Sequence, residues 1–210
     1  MTTVLCYGDS NTYGYVPETG MRYPKEVRYP GKLQMLLGDG YTVIEEGCNG
    51  RTTVHDDPLE DGKNGLTYLK PCLNSHKPVD IVTLMLGSND LKERFHLTAA
   101  DIAGGAGILV DTIITFLKEK QGFAPRIVLI SPPEIGTGIA SSPFGDSFPE
   151  TTIAASKEFP AHYKAVADKY GCVFLDAAQY IRPSEVDSLH LTPEGHQILA
   201  EKLNEIIKNL

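Results

Sequence analysis

The sequence predicts an α/β domain built on a parallel sheet. Three observations carry that expectation. Short apolar runs recur along the whole chain, several of them are continuous rather than alternating, and segments of helical period lie between them. Continuous runs suit strands covered on both faces. Strands that alternate with helices imply crossover connections, with helices on both sides of the sheet.

The expected strands are residues 3–7, 41–45, 80–86, 126–130 and 172–175. A first helical face is formed by Ile102, Ala106, Leu109, Ile113 and Phe116, which step by four and three. Ala155, Phe159, Tyr163, Val166 and Tyr170 form a second, in which Pro160 either kinks the helix or marks its first turn. The last helix starts from Thr192 as N-cap with Pro193 in the first helical position, and is expected to bury Leu199, Leu203, Ile206 and Leu210.

A chain of 210 residues with 41% hydrophobic content suffices for one cored domain, and no repeat or linker divides it. The net charge of −8 argues against nucleic acid and anionic membrane surfaces as partners. No apolar stretch is read as approaching the roughly 20 residues of a membrane span. The N-terminus shows no basic region or cleavage site. Cys6, Cys48, Cys72 and Cys172 have no C-x-x-C spacing, and two lie in or beside apolar runs. A reduced, cytoplasmic protein is the expectation.

In open parallel sheets, ligands bind beyond the carboxyl ends of the strands. Ser10 follows the first expected strand, Gly50 the second, Asn89 the third, the Pro132-Pro133 loop the fourth, and Asp187 with His190 the fifth. All the polar candidates therefore share one sheet edge. A serine hydroxyl needs a neighbouring base to act as a nucleophile, and His190 can be that base. Asp187, three residues earlier, can hold one ring nitrogen while the other faces Ser10. The backbone N–H groups of Ser10 and Gly50 and the side-chain amide of Asn89 are candidate oxyanion donors. The chemistry expected is acyl transfer through an acyl-serine, with no cofactor and no metal.

The blocks Gly8-Asp9-Ser10-Asn11, Gly50, Gly87-Ser88-Asn89-Asp90 and Asp187-x-x-His190 resemble the four blocks of the SGNH (GDSL-type) hydrolases. Stretches 43–53, 56–58 and 68–90 are similar to the bacterial aryl esterase and acyltransferase (perhydrolase-type) subgroup, and the resemblance covers most of the chain outside 17–30 and 136–150. It implies a flavodoxin-like three-layer α/β/α sandwich with a five-stranded parallel sheet. It also implies short-chain, acetyl-type esters such as aryl acetates as substrates, and in many members a homo-octamer that narrows the entrance. Asn11 stands where the usual motif has Leu, and Tyr13 and Tyr15 stand where members that favour acyl transfer have tryptophans. These three are expected to contact substrate, and hydrolysis rather than transfer is the expected main activity.

Other readings stay open at this point. A thioesterase, a lysophospholipase or a carbohydrate acetyl esterase would use the same residues. A flavodoxin-like binding module would use the same edge, but there is no G-x-G-x-x-G or P-loop lysine. His55, Asp56 and Asp57 read as a loop ion pair rather than metal ligands, since a third partner at recognisable spacing is lacking. Arg51 is read either as bracing its loop through an ion pair or as contacting substrate, Asp9 is expected to bond loop amides, Gly47 competes with Gly50, and His196 reads as a solvated helix residue. The loop 132–150 exceeds ordinary connection length and is read as pocket wall or subunit interface.

Overall fold

The computed structural model describes residues 1–210. Its centre is an all-parallel sheet of five strands, β1 (Thr2–Gly8), β2 (Tyr41–Gly47), β3 (Ile81–Met85), β4 (Arg126–Ser131) and β5 (Val173–Asp176), in the order β2-β1-β3-β4-β5. This is the flavodoxin-like order, whose switch point lies between β1 and β3. The strands fall within two residues of the expected runs. Gly8 of β1 pairs with Gly47 on one side and Met85 on the other, so these three strands end nearly level.

Six helices cover the sheet: α1 (Ser10–Tyr13), α2 (Tyr29–Leu37), α3 (Gly65–His76), α4 (Ala99–Gln121), α5 (Thr151–Tyr170) and α6 (Pro193–Ile207). The period of two along β1 sorts them into layers. Leu5 and Tyr7 join a core with residues of α3, α4 and α5, including Leu73, Ile102, Leu109 and Phe159. Val4 and Cys6 join a second core with residues of α2 and α6, including Tyr29, Leu33, Leu199 and Leu203. The expected three-layer sandwich is therefore present.

Local chemistry explains where these helices begin. In α4, Thr98 accepts from the Asp101 N–H while the Asp101 carboxylate accepts from the Thr98 N–H, a reciprocal cap. Thr192 caps α6 through Gly195, with Pro193 in the first turn as expected. The α3 cap is Asn64, whose Oδ1 accepts from the N–H groups of Leu66 and Thr67. Two helices carry an interior proline, Pro71 in α3 and Pro160 in α5. Pro160 thus lies mid-helix rather than in a first turn.

Three expectations need correction. Leu210 lies beyond the end of α6 and is 39% exposed, and the buried apolar stripe runs Leu199, Leu203, Ile207 instead. By length and composition, α4 is apolar enough to cross a membrane. Its Ile102, Ala106, Leu109, Val110, Ile113 and Leu117 are packed into the core of this domain. His196 is not solvated but fully buried between Tyr23 and Tyr29. The i, i+3, i+4 geometry of α6 places it beside Leu199 and Ala200 on the packed face.

The His196 Nδ1 accepts the Tyr29 N–H at 3.2 Å, so the neutral ring carries its proton on Nε2, which has no partner. Burial, with the charges of His190 and Lys32, pushes its pKa from 6.5 down to about 3. The unfolded chain therefore binds a proton here that the folded chain refuses. Stability from this group is complete above the unfolded pKa and is lost as pH falls from 6.5 toward 3. The slope approaches about 1.4 kcal/mol per pH unit for one proton. Urea unfolding of the wild type and of His196→Gln between pH 4 and pH 7 should show the variant's slope reduced by about one proton; equal slopes would contradict the burial argument.

Candidate active site

The site forms where β1 gives way to α1. Asp9 caps that single turn, its Oδ1 accepting the Asn11 N–H at 2.9 Å. Burial raises the Asp9 carboxyl to about 6, against the lowering pull of that amide and of His190 and Arg51. Ser10 opens the turn, with its first helical N–H directed away from the intrahelical ladder. Its side chain meets a residue 180 positions away. The Ser10 Oγ lies 2.9 Å from His190 Nε2, and His190 Nδ1 lies 2.6 Å from Asp187 Oδ2.

The direction of these bonds follows from the charges. Burial favours a neutral Asp187, but the His190 hydrogen bond and charge, with the backbone amides of His190 and Leu189, outweigh it and hold the carboxyl below its usual range. An ionised Asp187 can only accept, so His190 Nδ1 donates to it and Nε2 is left to accept from the Ser10 hydroxyl. All three residues are buried, Asp187 completely.

The loop that carries the pair is tightly held. Asp187 Oδ1 accepts from the N–H groups of Leu189 and His190, each at 3.0 Å. The Ser188 backbone sits in the left-handed region at φ 59°, a conformation that the surrounding bonds enforce. Ser188 N–H donates to the Ser184 carbonyl, and Gly136 N–H donates to the Ser188 carbonyl, both within 2.8 Å. Asn11 completes the clamp, its Oδ1 accepting the Leu191 N–H at 2.9 Å.

A small cavity of about 160 Å³ opens above Ser10 and His190, with Gly50 and Asn89 on its rim. Asn89 follows β3 in a short 3₁₀ turn, Ser88–Leu91. Its Nδ2 donates to the Arg51 carbonyl at 3.2 Å, which orients the amide and leaves its second hydrogen available. The Gly50 N–H has no acceptor within the protein. Gly50 has φ 78°, which favours glycine, whereas Gly47 is a packing glycine: a Cβ there would come within 2.1 Å of the Tyr13 nitrogen. Of the two competing glycines, only Gly50 borders the cavity.

The structure separates the three expected substrate contacts. Tyr15 lies in the cavity wall, its ring centroid 4.2 Å from that of His190. Asn11 does not face the cavity, because its side chain is committed to Leu191. Tyr13 also points elsewhere, its ring lying under Arg22 with the guanidinium carbon at 4.5 Å. Adjacent side chains of a helical turn diverge by about 100°, so Asn11 cannot share a target with Ser10, and Tyr13, three residues on, is drawn aside by its contact with Arg22.

The loop 132–150 contributes Phe144, Ser147 and Phe148 to the cavity, with Phe144 edge-on to His190 at 5.3 Å. Asn49, Glu60 and Lys92 also line it and had no signal in the sequence beyond their neighbourhood. Arg51 braces the site: it donates to the carbonyls of Gly8 and Glu46, and its guanidinium lies over Tyr7. His55 bonds Asp90 at 3.0 Å, while Asp57 pairs with Lys92 and Arg94. Asp90 is held besides by the Thr53 N–H and hydroxyl, which anchors the turn bearing Asn89.

The pattern of the GDSL-like Lipase/Acylhydrolase family matches residues 6–198. The chain belongs to that family. It is a carboxylic ester hydrolase of the SGNH type, with the sheet and helices of its structurally known members. An aryl esterase of M. smegmatis is 36% identical, with all of both chains covered and a TM-score of 0.94. A carbohydrate acetylesterase from Sinorhizobium meliloti is also 36% identical, covering 100% of this chain and 99% of that one at a TM-score of 0.93. An acetylxylan esterase of Xylanibacter ruminicola is 35% identical over 94 residues, and the match spans 42% of this chain but only 17% of that protein.

The Asn11 clamp gives a test of positioning within this GDSL-like hydrolase. Asn11→Ala leaves the buried Leu191 N–H without an acceptor, at a cost of about 1–3 kcal/mol. Chemical denaturation should show that loss. Steady-state kinetics should show turnover falling several-fold with KM little changed, because the loop bearing His190 slackens while the cavity wall stays; a KM effect alone would instead put Asn11 on the substrate.

Proposed function

We propose that this protein hydrolyses short-chain, acetyl-type carboxylic esters, with Ser10 as nucleophile, His190 as general base and acid, and Asp187 as its orienting carboxylate. The observation that carries this reading is the hydrogen-bonded line from Ser10 through His190 to Asp187 at the floor of a cavity rimmed by Gly50 and Asn89. The Ser10 oxygen attacks the ester carbonyl as its proton passes to His190 Nε2, and the carbonyl electron pair moves onto oxygen. The backbone N–H groups of Ser10 and Gly50 and the Asn89 amide stabilise that oxyanion. Collapse breaks the bond to the alcohol, which leaves with the proton from His190. Water then repeats the sequence on the acyl-serine and releases the acid.

The small cavity supports short acyl groups. About 160 Å³ walled in part by Tyr15, Phe144 and Phe148 fits an acetyl group better than an extended chain, which disfavours a lysophospholipase or long-chain thioesterase. The aryl esterase and acetylesterase relatives point the same way. We extend the proposal to a homo-oligomer with acyl transfer to alcohols as a side activity, as the family resemblance implies. The strongly exposed Met21, Met35 and Leu59 are apolar surface that such an assembly would cover. Four free cysteines fit a reducing compartment such as the cytoplasm.

Ser10→Ala should abolish hydrolysis of phenyl acetate and labelling by a fluorophosphonate, with the circular dichroism unchanged; full activity in that variant would overturn the proposal. Asn89→Ala should lower kcat about 10²–10³-fold with a smaller effect on KM, as loss of one oxyanion donor does. A change confined to KM would remove Asn89 from that role.

A further inference from the structure

Resting on the esterase reading above, we propose that a second, larger cleft beside the Ser10 cavity is the subsite for the part of the ester that the cavity cannot hold, and that it selects a neutral, polyhydroxylated alcohol such as a sugar. The cleft has a volume of about 690 Å³, and only two of its 13 lining residues are hydrophobic. It adjoins the reacting centre. Glu60 lines both spaces. Gly50 stands at the boundary, where an added Cβ would lie 3.3 Å from both Glu60 Oε2 and the Lys63 Cε. Lys63, a wall of the cleft, donates to the Asn49 carbonyl at 2.8 Å, and Asn49 lines the Ser10 cavity. A substituent on an ester held at Ser10 thus passes Gly50 and Glu60 into the cleft.

The lining chemistry selects the occupant. Tyr68 is 42% exposed, a flat apolar platform backed by the Arg51 guanidinium at 5.4 Å. The carboxylates of Asp56, Glu60 and Asp61 line the same cleft, as acceptors without protons of their own to give, and Glu60 also meets Lys92 and Lys63. An aromatic face with surrounding acceptors matches a sugar, whose C–H face packs on the ring while its hydroxyls donate. A lipid alcohol would run its chain between mostly charged and polar side chains here. An anionic alcohol finds no free cation, because Arg51 is committed to the Gly8 and Glu46 carbonyls and Lys63 to Asn49 and Glu60.

The test compares acetylated xylose with methyl acetate, which is too small to reach the cleft. Wild type, Tyr68→Ala, Tyr68→Phe and Asp61→Asn are assayed on both, and binding of methyl xyloside is followed by saturation-transfer NMR. The ratio of kcat/KM for the sugar ester to that for methyl acetate should fall about tenfold in Tyr68→Ala, roughly what the loss of one ring platform removes. That fall should come through KM, with Tyr68→Phe near wild type and Asp61→Asn between them. Methyl xyloside should bind the wild type and lose its signal in Tyr68→Ala. Unchanged ratios in Tyr68→Ala and Asp61→Asn, or xyloside binding indifferent to Tyr68, would overturn the subsite while leaving the esterase intact. Xyloside binding that depends on Tyr68 in a protein that cleaves neither ester would support the subsite and overturn the esterase reading instead.

Discussion

The parallel alignment of the sheet is the constraint from which the rest follows. Because all five strands run the same way, each one delivers the chain to the same edge. β1 delivers Ser10, β2 leads to Gly50, β3 to Asn89, β4 to the loop with Phe144, and β5 to Asp187 and His190. This arrangement, with the clamp on the loop after β5, brings residues 180 positions apart in the chain within 2.9 Å. β1 is flanked by β2 and β3 and its last five residues are buried, so Ser10 follows closely on a strand held from both sides.

Around this edge the protein buries the carboxylates of Asp187, Asp90 and Asp57, and each of these is matched by partners. Asp187 is satisfied by His190 and two amides, Asp90 by Thr53 and His55, and Asp57 by Lys92 and Arg94. The Asp9 carboxyl has the Asn11 amide as its one hydrogen-bond partner, and there burial prevails and raises its pKa. The paired charges fix three loops against one another, so the donors and the base meet the serine without reorganisation. His196 is the exception, a buried neutral ring with an unpartnered N–H beneath the site.

Most of the proposed catalytic constellation was legible because it is local. Ser10, Asn89 and the Asp187–His190 pair each sit in a short block whose turn chemistry follows an apolar strand, and strand ends in a parallel sheet are predictable. Gly50 could be preferred over Gly47 by likeness of spacing, but their separation into a cavity glycine and a packing glycine needed contacts. The helices α2 and α3 left weak signals, since α3 has Pro71 in its interior and α2 begins with Pro30 and Gly31. Periodicity marked α6, but not that it ends at Ile207, which leaves Leu210 outside the core.

The sequence by itself determined the fold class, the chemistry of the reacting groups and the edge at which they gather, because hydrophobic period and turn residues act over a few positions. Tertiary structure decided the directions of the side chains. A single helical turn sends Ser10 to His190, Asn11 to Leu191 and Tyr13 to Arg22, so only Tyr15 of the expected contacts lines the cavity. It also decided the burial of His196 and the placing of a polar cleft beside Gly50. These depend on which surfaces pack together across the whole chain, and no local pattern encodes that.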